Sequence, residues 1–157
     1  MTTLQALGIE AQLPPGFEGR IYRRPPAPGE RTYSVAQFAS FPLPGTAADF
    51  GNGAVELMGA SDVFAVLFEY GPESVGRRLF AASTMPRQLA ASHFLPTVLR
   101  RALPGHSGTQ WFFTEAGRPF TLYAVAGSHA SLPSMLPRLN KLLAGIRITQ
   151  LPSRAPA

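Results

Sequence analysis

The first residues to test for chemistry are three histidines, His93, His106 and His129. No two stand four apart on a common helix face, and none adjoins a carboxylate at a metal-ligand spacing. The chain has no cysteine, which excludes disulfides, thiolate catalysis and sulfur-based zinc sites. The histidines read as loop or surface residues, with no metal and no cofactor expected. Gly105-His106-Ser107-Gly108-Thr109 imitates a nucleophile turn, but Thr109 occupies the place of the second glycine in G-x-S-x-G. A strand follows it where that motif needs a helix. No phosphate-binding loop is present, and Gly51-Asn52-Gly53 lacks the third glycine of a dinucleotide fingerprint. Glu56, Glu69 and Glu115 could cluster if strands bring them together, but carboxylates at strand ends are ordinarily solvated. No catalytic residue is assigned.

Thirteen arginines and a single lysine, Lys141, face nine acids, for a formal charge of +5. Such a balance favours anionic partners and says nothing of fold. The arginine skew is also what a GC-rich genome produces. Arg20, Tyr22 and Arg24 alternate onto one strand face, a pattern that can grip single-stranded nucleic acid. The doublets Arg23-Arg24, Arg77-Arg78 and Arg100-Arg101 lie at separate element ends, however, and no ribonucleoprotein-like aromatic motif accompanies them. Nucleic acid is therefore the third reading, as weak binding through scattered arginines.

These side chains are positioned by elements that punctuation residues delimit. The composition, 45% hydrophobic with 15 Gly and 16 Pro in 157 residues, supports one folded domain. Residues 1–16 form an N-terminal segment ending at Leu13-Pro14-Pro15-Gly16, residues 17–149 the domain, and residues 150–157 a flexible tail. Alternation predicts strands at Phe17–Arg24 and Thr32–Phe41, separated by a proline run at 25–29. Gly51-Asn52-Gly53 opens a predicted strand at Ala54–Met58, which a hairpin joins to Val63–Tyr70. That last run is apolar on both faces and so central in a sheet. Short helices are predicted from Pro72 to Phe80 and from Pro96 to Leu103. A hairpin pairs Gln110–Thr114 with Phe120–Ala126 across Glu115-Ala116-Gly117-Arg118. Met135, Leu139, Leu142 and Leu143 make the apolar stripe of a helix over Ser134–Ala144, with Pro137 in its first turn. Ile146-Arg147-Ile148 closes the domain as a strand. No apolar run has the length of a membrane span and no signal peptide is visible, so a cytoplasmic location is expected.

The hairpin Gln110–Ala126, helix Ser134–Ala144 and strand Ile146–Ile148 together resemble the ending of PsbP-like and Mog1-like proteins. That group includes actinobacterial lipoproteins of the LpqN type. The resemblance implies an α/β/α sandwich and an adapter or assembly role, commonly without catalysis; it carries over no functional residue. The arginine-rich, lysine-poor make-up fits an actinobacterial source.

The expected fold is thus α+β, a mostly antiparallel central sheet with helices packed on it. The expected function is a non-enzymatic protein-interaction or assembly module whose partner is another protein or a second copy of the chain. Its contact surface would use the 25–29 and 42–46 loops with Arg20, Tyr22, Arg24, Phe41, Phe50 and Trp111. The alternative is a small-molecule-binding domain or enzyme with a cleft beside the 110–126 hairpin, lined by His106, Glu115 and Arg118.

Overall fold

The computed structural model describes residues 2–45 and 48–151. Position 46 of the 42–46 loop and positions 152–157 of the tail lie outside the described residues. The chain begins with β1 (Thr2–Ala6) and β2 (Ile9–Leu13), a hairpin closed by Leu7-Gly8. Both turn residues take positive φ, 52° and 74°, the pairing that matches strand twist in a two-residue hairpin. Then come β3 (Glu18–Arg23), β4 (Ser34–Ala39), β5 (Val63–Glu69), β6 (Ser107–Glu115) and β7 (Arg118–Ala126). The single α-helix, α1 (Leu132–Ala144), leads into β8 (Ile146–Ile148).

The strands form two antiparallel sheets. One has the order β1-β2-β8 and the other β3-β4-β5-β7-β6. This corrects the α+β sandwich expectation: the fold is mostly β, and its only α-helix among the described residues is 13 residues long. The helices predicted at 72–80 and 96–103 are isolated 3-10 turns at Pro72–Ser74, Arg78–Phe80 and Pro96–Val98. Gly76 takes φ +88° between the first two, and Val75 and Leu79 are left exposed. A helix that short gains too few hydrogen bonds to offset its nucleation cost. The strand predicted at Ala54–Met58 is likewise a 3-10 turn, Val55–Leu57. Gly51 and Gly53, both near φ +90°, curl the chain before it can extend.

Other expectations hold. β5 lies between β4 and β7, with Val63 through Leu67 buried on both faces. β6 and β7 form the predicted hairpin, turning on Ala116 and Gly117. The stripe of α1 is buried, while Arg138 and Lys141 stay exposed. The helix starts two residues earlier than expected, so Pro137 lies inside it rather than in the first turn and removes one helical hydrogen bond.

Two cores result. The first joins α1, β2, β8 and the β5–β7 face carrying Ala65, Leu67, Phe120 and Leu122. The second, smaller core lies on the opposite face under Phe41, Leu43, Phe50, Val55 and Met58 and under Val98, Leu99 and Leu103. Toward one end of this face the side chains are only half-buried among the described residues, Tyr33, Phe68, Tyr70 and Phe112 with them.

Candidate functional site

Strand register places side chains in rungs across the five-stranded sheet. On the second-core face, Arg20, Gln37, Val66, Tyr123 and Gln110 make one rung. The next is Tyr22, Val35, Phe68, Thr121 and Phe112. Beyond it Tyr33 and Tyr70 continue the face, Tyr70 held by its N–H donating to Pro119 O at 2.8 Å. The four tyrosines of the chain therefore all lie on one sheet face, although they come from four different segments.

Gln37 fixes the edge of the cover. It is fully buried, and its amide nitrogen donates to Ala48 O and Asp49 O at 2.9 and 3.0 Å. Its amide oxygen accepts from Arg20 Nε at 2.7 Å. With those bonds made, Asp49 accepts the Tyr22 hydroxyl at 2.5 Å, and Phe50 packs on Phe68 and Tyr123 with centroids 4.9 and 5.8 Å away. Rings continue outward from Phe68 to Tyr70, and from Tyr70 to Phe80 and Phe112. The Arg100 guanidinium lies over the Phe50 ring at 3.7 Å, and the Arg100 backbone N–H donates to the Tyr123 hydroxyl at 3.1 Å. Half-buried Tyr22, Tyr33, Phe50, Phe68, Tyr70 and Phe112 thus form a rigid aromatic floor with a cation on it.

Electrostatics follow from this packing. Burial pushes the Tyr22 hydroxyl well above the ordinary phenol range, and the hydrogen bond to Asp49 and that carboxylate's charge push the same way. Burial also raises Tyr70 and Tyr123, opposed in both by Arg100. A cleft of about 160 Å³ opens among Arg24, Arg31, Tyr33, Phe68 and Tyr70. Three carboxylates beside it are engaged, Glu30 by Arg24, Asp49 by Tyr22 and Glu69 by Arg118, while Glu73, folded against Gly71 of the cleft wall, forms no ion pair among the described residues. Arg31 and Arg100 form no ion pair among the described residues.

Of the residues expected at a contact surface, Arg20, Tyr22, Arg24 and Phe50 come together here. Phe41 is buried in the core beneath, at 8% exposure. Trp111 pairs with Leu122 and points to the other side of the sheet, where its indole N–H donates to Thr109 Oγ1 and His93 packs against its ring. The His106, Glu115 and Arg118 cleft does not assemble. His106 precedes β6 and Glu115 ends it, roughly 30 Å apart at the usual strand rise. Glu115 is held by Arg87 and the Met85 N–H, while Arg118 is buried on Glu69, Ser34 Oγ and Thr149 O. Tyr33 and Tyr70 also belong to the face, as does Arg100, which the sequence marks only as half of the Arg100-Arg101 doublet. Tyr33 and Tyr70 flank strands at positions in phase with inward residues, which was the available clue. The doublet partner Arg101 pairs with Glu56, so only one of the two adjacent arginines serves the face.

No group of three potential metal ligands occurs among the described residues, and no helix there is long and apolar enough to cross a membrane. No protein-family model, curated protein or solved structure matches the chain.

Proposed function

We propose that the chain is a binding module that docks an acidic polypeptide segment on the tyrosine- and arginine-bearing end of its five-stranded sheet. The observation that carries this reading is the placement of half-buried Tyr22, Tyr33, Tyr70 and Phe50, with Arg100 over the Phe50 ring, at one end of that face among the described residues. Tyrosine, phenylalanine and arginine are enriched at protein interfaces: the aromatic rings bury much area with few rotamers to freeze, and arginine adds a planar cation with five donors. A preformed floor, fixed by Gln37 and Asp49, lowers the ordering cost of association. Charge selects the partner: Glu30, Asp49 and Glu69 are engaged, and Arg31 and Arg100, which form no ion pair among the described residues, outnumber the unpaired Glu73 and can receive a partner's acids. Glu69, which lines the cleft, is saturated by Arg118 below the surface, which supports binding over acid–base chemistry there.

Selection of a random peptide library on the immobilised protein tests this. The expected peptides combine Asp or Glu with an aromatic or aliphatic anchor, and Arg100→Glu weakens them by at least about tenfold. Selection without acidic enrichment, or binding indifferent to Arg100→Glu, contradicts the proposal.

A further inference from the structure

At the start of β6 a second concavity of about 650 Å³ opens between two loops, and no tyrosine lines it. One wall is Phe94–Pro96, tied to the strand by Leu95 N–H to Gly108 O at 2.8 Å and Gly108 N–H to Leu95 O at 3.0 Å. The other is Ala102–His106, closed by His106 N–H to Leu103 O and anchored by His129 N–H to Gly105 O at 2.9 Å. Backbone bonds on both sides make the shape a preformed one, and its size is that of small-molecule sites, about 300–1,000 Å³. Its surface is mainly apolar, with Phe94 as a buried floor and Leu95 half-exposed on the rim.

Two imidazoles supply the polarity, and their hydrogen bonds decide which nitrogens carry protons. His106 Nδ1 lies 3.2 Å from Pro104 O. A carbonyl only accepts, so Nδ1 holds the proton and Nε2 is a bare acceptor. That Nε2 is the one buried side-chain nitrogen or oxygen among the described residues without a hydrogen bond. An acceptor orphaned in this way calls for a donor. His129 Nδ1 meets Ser107 Oγ at 3.1 Å. Ser107 is fully buried, and this is its hydroxyl's one hydrogen bond among the described residues, so the hydroxyl donates to Nδ1. The exposed His129 ring then offers Nε2–H as a donor. No acid, arginine or lysine lines the concavity: nearby Arg101 is paired with Glu56, and Arg100 lies over Phe50. A charged headgroup would lose its hydration there with no counter-ion in return, whereas a neutral one needs only an acceptor and a donor.

We propose that this concavity binds a neutral aliphatic alcohol, with its hydrocarbon against Phe94, Leu95 and Leu103. The hydroxyl donates to His106 Nε2 and accepts from His129 Nε2–H. His106 Nε2 lies beneath the surface, so the ring turns slightly toward the ligand as that bond forms. The site shares no lining residue with the tyrosine cleft and stands or falls independently of it.

Calorimetric titration of the whole protein with octan-1-ol and its isomer heptyl methyl ether tests the assignment, because only the alcohol has a donor. Octanol is expected to bind saturably at one site and the ether at least about tenfold more weakly. Octanoate and octylammonium, which carry charge, are expected to bind more weakly than the alcohol. His106→Phe keeps a planar ring without the acceptor, and should bring octanol down to the affinity of the ether while leaving the ether unchanged. Leu95→Glu, at a half-exposed rim side chain, should weaken octanol by at least about tenfold without lowering the thermal midpoint. Ala102→Glu, on the opposite rim, repeats that test should either other variant disturb its loop. Absence of saturable octanol binding, an ether or a charged probe that binds as tightly, a lead of alcohol over ether that survives His106→Phe, or full affinity in both rim variants overturns the proposal.

Discussion

Arg118 is a residue whose environment reverses its apparent role. Its guanidinium donates to both Glu69 oxygens at 2.9 and 3.0 Å, to Ser34 Oγ and to Thr149 O. These bonds join β4, β5 and β7 to the segment after β8, linking the two sheets at a point where both charges are desolvated. Removing one partner strands the other's charge, so Glu69→Ala should cost about 3–5 kcal/mol in urea unfolding. Replacing both residues with apolar side chains of similar volume should cost much less. A loss below about 1 kcal/mol for Glu69→Ala would show that the pair does not hold the sheets together. The tyrosines give a second residue-scale test. Tyr22, Tyr70 and Tyr123 hold their protons to higher pH in the folded chain than in the unfolded one. Their contribution is complete below about pH 10, the unfolded phenol value, and is lost as pH rises through the folded values. Phenolate absorbance should therefore appear at higher pH in the native protein than in urea, and stability should fall above about pH 10. Tyr22→Phe should make that fall shallower; an unchanged slope would contradict the assigned environment.

Among the elements, α1 shows how far periodicity carries. Met135, Leu139, Leu142 and Leu143 predicted one buried face, and each is at most 1% exposed. Leu139→Ala should cost about 2–5 kcal/mol, and Lys141→Ala, on the exposed side, no more than about 0.5 kcal/mol. Equal losses for the two would mean that the stripe does not face the core. β5 was legible as well, being apolar at every position from Val63 to Phe68, and the β6–β7 turn through its Ala-Gly pair. The N-terminal hairpin was not, because Leu7 adopts φ 52° where sequence patterns favour asparagine or aspartate. The 72–80 and 96–103 stretches misled in the other direction. Their proline starts and apolar spacing match a helix, but the chain there follows the edge of β6, with Leu95 bonded to Gly108 and Thr114 N–H donating to Ala82 O. Pairing of that edge, a tertiary demand, outweighed local propensity.

For the whole molecule, the proposed binding face is the half-buried aromatic end of the five-stranded sheet. Half of it was readable: Arg20, Tyr22 and Arg24 alternate within β3, so their shared face follows from the period of a strand. Phe50, Tyr70 and Arg100 join them only through strand order and through Gln37 anchoring the covering loop, neither of which a single sequence displays. The most direct measurement places a photoreactive phenylalanine analogue at Tyr33, on the floor of the cleft, and in parallel at Lys141 on the outer side of α1. Irradiation in the native host should give a discrete adduct from position 33 that Arg100→Glu abolishes, with none from position 141. Equal labelling from the two positions, or an adduct at 33 that persists with Arg100→Glu, would contradict the assignment of this face.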